Sequence, residues 1–131
     1  MVQSLRLAAP VLFALLAFPP TLAAQAPSDL RGIWSADPAC DENALRHVIG
    51  ERSLEWREGG RRIAYAETRV QLRGDQIRFE IRSADPPDGP IRVGDVVRYR
   101  RVPGGLVPIA IERAGVVIDL AADRPFVSCR R

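Results

Sequence analysis

Few residues in this chain could do chemistry, and their spacing does not gather them. The one histidine, His47, stands beside Val48 in apolar surroundings. A hydrolytic triad would have to bring it both a nucleophile and an orienting carboxylate. Ser28, Ser35, Ser53, Ser83 and Ser128 lack the Gly-x-Ser-x-Gly context of a nucleophile elbow and read as turn or surface residues. Asp85 and Asp88 flank Pro86-Pro87. Calcium takes about six to eight oxygens, more than two loop carboxylates supply. No catalytic residue, no metal site and no cofactor is expected.

Cys40 and Cys129 are the only cysteines. They allow a single intramolecular bridge, which would tie the start of the folded part to its end. Closing a loop of that size contributes about 4–5 kcal/mol in the chain-entropy account. Two thiolates and one distant histidine would make a poor tetrahedral metal site. A disulfide needs an oxidising compartment, and the N-terminus supplies a route to one. Arg6 is the only charge before Asp29. An apolar run covers residues 7–18, Pro19-Pro20 closes it, and residues 21–26 are rich in small side chains. That order is the signature of a secretory signal peptide. The run is shorter than the roughly 20 residues a transmembrane helix needs, so no membrane anchor is expected. Residues 1–24 are read as the signal, cut after Ala23 or Ala24. Residues 25–131 are read as one small domain, periplasmic or extracellular.

The elements that must position these residues follow from hydrophobic periodicity. Residues 30–35 read as a first strand. Residues 41–49 read as a short helix, capped by Asp41, with Ala44, Leu45, Val48 and Ile49 on one face and Gly50 ending it. Strands are expected at 52–58, 61–73, 76–82, 91–102, 106–113, 116–121 and 126–130. Gly59-Gly60, Gly74-Asp75, the proline-rich stretch 84–90, Pro103-Gly104-Gly105 and Ala114-Gly115 separate them. Within 61–73 the apolar positions pass from odd (Ile63, Tyr65) to even (Val70, Leu72), which predicts a bulge at 66–68. About eight short antiparallel strands predict an all-β, up-and-down barrel with one short helix, an open sandwich being the alternative. Ile77, Phe79, Ile81, Tyr99, Val107 and Ile109 are expected to point inward.

The opening Asp29-Leu30-Arg31-Gly32-Ile33-Trp34 resembles the start of lipocalin-like (calycin) barrels, which begin with Gly-x-Trp. The resemblance implies that Gly32 and Trp34 close one end of the barrel, with Arg124 or Arg130 packed on the indole. The opening is also similar to that of small exported bacterial inhibitors of metalloproteases, single-disulfide barrels whose N-terminal residues enter the protease cleft. By that likeness residues 24–30, including Pro27, Ser28, Asp29 and Leu30, would be the inserting segment. Cys129 departs from that family, whose second cysteine falls in the first half of the domain.

All 19 basic residues are arginine, against 16 carboxylates. This near-balance gives no footprint for nucleic acid or an anionic membrane. Arg78, Arg82, Arg92, Arg98 and Arg100 alternate with apolar residues and so fall on an outer face. Arg61 and Arg62 sit at a hairpin tip, where guanidinium groups could meet a partner's carboxylates. The expected function is a monomeric, non-enzymatic binding module whose partner is another protein, a protease in the case the resemblance implies. The alternative is a carrier of a small apolar ligand inside the barrel.

Overall fold

A computed structural model describes residues 25–120 and 122–129. The signal segment 1–24 with its cleavage site, and Arg130, lie outside the described residues. The described residues form nine strands: β1 (Gly32–Ser35), β2 (Arg46–Ile49), β3 (Ser53–Glu58), β4 (Arg61–Arg73), β5 (Gln76–Asp85), β6 (Val96–Val102), β7 (Gly105–Arg113), β8 (Val116–Asp119) and β9 (Val127–Ser128). All belong to one antiparallel sheet in the order β8-β7-β6-β5-β4-β3-β2-β1-β9. Tight turns put successive strands side by side, as short connections require. Gly59-Gly60 and Ala114-Gly115 both carry positive φ at both positions, the twist that two-residue hairpins favour.

The sheet is not a closed barrel. Its ladder ends at β8 on one side and β9 on the other. β9 pairs with β1 through Trp34↔Ser128 and Ser35↔Val127. The nearest approach to closure is an isolated bridge, Leu106↔Phe126, whose two backbone hydrogen bonds measure 3.0 and 2.8 Å. The backbones meet closely there: a Cβ on Gly105 would stand 2.6 Å from Pro125 Cβ and 3.0 Å from Phe126 O. Cys40, in the β1–β2 connection, is bonded to Cys129, just past β9, across a separation of 89 residues. The bridge expected from the cysteine count is present, and it suits an oxidising compartment.

The helix expected at 41–49 is absent; the described residues contain no helix. Asp41 still holds backbone, its Oδ1 accepting from Asn43 N at 2.8 Å and its carbonyl from Ala44 N at 3.1 Å, but in a turn. Residues 46–49 pair with β1 on one side and β3 on the other. Those two ladders outweigh the weak preference of an isolated short helix.

The inner face is solid. Leu54, Val70, Ile77, Phe79, Ile81, Val97 and Tyr99 are almost wholly buried and share one cluster. The clean alternation of Ile77, Phe79 and Ile81 held. The parity switch in β4 did not: Ala64, Ala66, Thr68 and Val70 are the buried positions, and Ile63 and Tyr65 lie on the half-buried face. An irregularity does fall at Glu67/Thr68, but its extra residue is Arg82 in β5, between the pairs Glu67↔Ser83 and Thr68↔Ile81. Val107 and Ile109 also miss the inner face. Leu106, Pro108 and Ile111 point in, Ala110 lies opposite Arg98 on the other face, and Ile109 is left over between Arg98↔Ala110 and Tyr99↔Pro108. Period-two reading counts every residue, so one bulge inverts the assignment beyond it.

Residues 86–95 form a long connection pinned by one buried carboxylate. Asp95 is 1% exposed. It accepts from Arg92 N at 2.8 Å and from Arg113 Nε and a terminal guanidinium nitrogen at 3.0 and 2.8 Å. That anchor delays the start of the expected strand 91–102: β6 begins only at Val96, Ile91 is buried in the connection, and Val93 is 65% exposed.

Candidate functional site

An apolar hollow lies where the sheet fails to close. Its volume is about 460 Å³. Ala36 and Leu45 from the β1–β2 connection form one wall. Pro108 of β7, Leu120 and Phe126 form the other. Ala122, Asp123 and Arg124, between β8 and β9, form part of the rim, and His47 and Trp56 complete the lining. Among the described residues that line it there is no hydroxyl or thiol side chain.

His47 reaches this place because β2 pairs with β3 in a register that sets it directly opposite Trp56. The imidazole stacks on the indole at 4.5 Å with planes 10° apart, stands edge-on to Tyr99 at 5.6 Å and leans against Phe126 at 4.8 Å. It is 2% exposed. Burial pushes its pKa down from 6.5 to about 3, so the ring is neutral at physiological pH.

The polar atoms of this cluster form a chain with one consistent set of protons. Trp56 Nε1 can only donate, and it donates to Tyr99 Oη at 3.1 Å. The same hydroxyl lies 2.7 Å from His47 Nδ1. With the indole proton already accepted, the phenol satisfies its own proton by donating to Nδ1. Burial raises the Tyr99 pKa, which keeps that proton in place. A neutral imidazole that accepts at Nδ1 carries its hydrogen on Nε2. Nε2 has no hydrogen-bond partner among the described residues, yet it is not one of the sealed, unpaired polar atoms. The remaining N–H therefore opens on the hollow that His47 lines.

The positions singled out from the sequence fall elsewhere, with one exception. Gly32 and Trp34 lie in β1, the strand beside the terminal β9, and Gly32 has φ 132°, which favours glycine. Trp34 is 8% exposed and its Nε1 donates to Leu30 O at 2.8 Å. The arginine lining the depression beside it is Arg101, paired with Asp29 at 3.2 Å. Arg124, the exception, belongs to the rim of the His47 hollow. Leu30 is buried, as is Ala26, which donates from its backbone N to Glu51 O at 2.8 Å. Pro27 is half-buried, and Ser28 and Asp29 are exposed. Arg61 and Arg62 are exposed at the β3–β4 hairpin, with Arg62 3.5 Å from Asp85 and 5.3 Å from the Tyr65 ring centroid. The hollow itself was missed, because reading 41–49 as a helix hid the pairing of His47 with Trp56. The β-branched pair Val48-Ile49 was the available signal for a strand.

No group of three or more metal-binding side chains stands together among the described residues. No protein-family model, curated protein or solved structure matches the chain.

Proposed function

We propose that the protein is an exported, non-catalytic binding module that holds a small, largely apolar ligand in the hollow beside His47. The observation that carries this reading is a concave site of about 460 Å³, walled by Ala36, Leu45, Pro108, Leu120 and Phe126, with the neutral His47 in its lining and Asp123 and Arg124 at its rim. Apolar walls with a few placed polar groups are the usual make-up of small-molecule sites. The ligand sits at the seam of the sheet, since Phe79, Tyr99 and their neighbours fill the inner face. Binding without turnover is supported by the state of His47. Its Nδ1 is taken by Tyr99 and its basicity is suppressed, which makes it a poor general base. The Cys40–Cys129 bond supports an oxidising destination. Burial of Ala26 and Leu30 against the sheet speaks for the hollow over an inserting N-terminal segment as the working surface.

Titration of the purified protein with the neutral fluorophore N-phenyl-1-naphthylamine tests the reading. Saturable binding of one equivalent is expected, with Trp56 emission changing in step. Ala36→Trp should fill the hollow and abolish the signal while leaving the far-ultraviolet dichroism unchanged. Binding that is absent, or indifferent to Ala36→Trp, would overturn it.

A further inference from the structure

From the Trp56–Tyr99–His47 chain we infer the chemistry of the ligand: an uncharged molecule with an apolar body and one hydrogen-bond acceptor, such as a carbonyl oxygen, that meets Nε2–H of His47. The inference rests on the reading of the hollow as a ligand site and adds its specificity.

Three observations carry it. The first is the direction of the hydrogen bonds. Trp56 has no acceptor to offer, so the order of donation runs from Trp56 to Tyr99 and from Tyr99 to His47 Nδ1, at 3.1 and 2.7 Å. The ring is left as a donor at its free nitrogen. The second is rigidity. Stacking on Trp56 and contact with Phe126 fix the plane of the imidazole, so its N–H has a set direction before any ligand arrives. A donor already oriented and desolvated discriminates strongly between a ligand that satisfies it and an isostere that does not. The third is the absence of net charge. His47 is neutral, and the two charged residues of the rim, Asp123 and Arg124, are adjacent and opposite in sign. An ionised ligand would lose its hydration among apolar walls without a matching counter-charge.

A matched set of probes separates this inference from the one beneath it. 2-Acetylnaphthalene and 2-isopropenylnaphthalene have nearly the same shape and differ in offering a carbonyl oxygen or a methylene; 2-naphthoate offers a charged acceptor. Followed by Trp56 emission, the ketone should bind on the order of tenfold more tightly than the alkene, and more tightly than the carboxylate. In His47→Phe the preference for the ketone over the alkene should vanish. Equal binding of ketone and alkene to the native protein would overturn the inference and leave the hollow standing as an apolar site. Tighter binding of the carboxylate would overturn the uncharged class. Failure of all three to bind would remove the ligand site and the inference with it. A second measurement does not depend on the variant folding. Nitrogen-15 spectra of the native protein should show the His47 proton on Nε2, and a proton found on Nδ1 would overturn the inference.

Discussion

At the scale of single residues, His47 is the group whose environment departs most from what the sequence suggests. A lone histidine beside a valine reads as a packing residue, and packed it is, yet its burial also sets a titration. Its folded pKa, about 3, lies below the ordinary 6.5. Below pH 6.5 the unfolded chain therefore binds a proton that the fold refuses. The sign follows: this contribution to stability is complete above pH about 6.5 and is lost progressively as pH falls toward 3. The slope approaches 1.4 kcal/mol per pH unit, at about one proton per unfolding event. Urea denaturation at several pH values should show this slope between pH 6 and 4. His47→Phe, which keeps a ring against Trp56, should flatten the curve in that window whatever its effect on stability at pH 7. An unchanged slope in the variant would assign the acid sensitivity to carboxylates instead.

At the scale of elements, two arginine–carboxylate clusters look alike in sequence and differ in what they hold. Glu112 lies between Arg78 and Arg98 on the half-exposed outer face, at 3.1 and 3.2 Å. Ion pairs of that kind are worth about 1 kcal/mol or less. Asp95 is buried and its partner Arg113 is 29% exposed, so removing the arginine strands a carboxylate that water cannot fully reach. Arg113→Ala should destabilise the protein by about 3 kcal/mol, against less than about 1 kcal/mol for Glu112→Gln, measured by the same urea midpoint. Similar losses in the two variants would mean that Asp95 finds solvent when Arg113 is gone. Neither difference was legible in the sequence, where Asp95 falls inside the expected strand 91–102 and nothing marks it for burial. Local punctuation was legible. Gly59-Gly60, Gly74-Asp75 and Ala114-Gly115 sit at the turns they announced, because a tight turn is decided by the residues in it. The face a strand buries was legible only where its pairing is regular, as in residues 77–81. Bulges at Ile109 and Arg82 depend on the neighbouring strand, and so does the pairing that turned 46–49 from a helix into β2.

At the scale of the whole molecule, the short last strand β9 is the weak point of an otherwise continuous meander. β4 and β5 share nine paired positions, from Tyr65↔Asp85 to Arg73↔Gln76. β9 has two pairs with β1 and the single Leu106↔Phe126 bridge beside it. Such a short segment has little of its own to hold it against fraying. The Cys40–Cys129 bond fastens it, and in doing so keeps Phe126 against His47 and the connection 122–124 at the rim of the hollow. Replacing both cysteines by serine should therefore act in two ways. Global stability should fall by about 4–5 kcal/mol, the loop-closure value for a bridge spanning 89 residues. Below that threshold the opening should be local. Hydrogen exchange should quicken first at the amides of Phe126 and Cys129, which donate to Leu106 O and Ile33 O, while the amides of Phe79 and Tyr99 stay protected up to global unfolding. Binding of a probe in the hollow should weaken in parallel with the exchange at Phe126, because the same segment supplies a wall of the site. Exchange that quickened uniformly across the sheet would show instead that the disulfide acts only on the unfolded chain, and that β9 is held by its few backbone contacts alone.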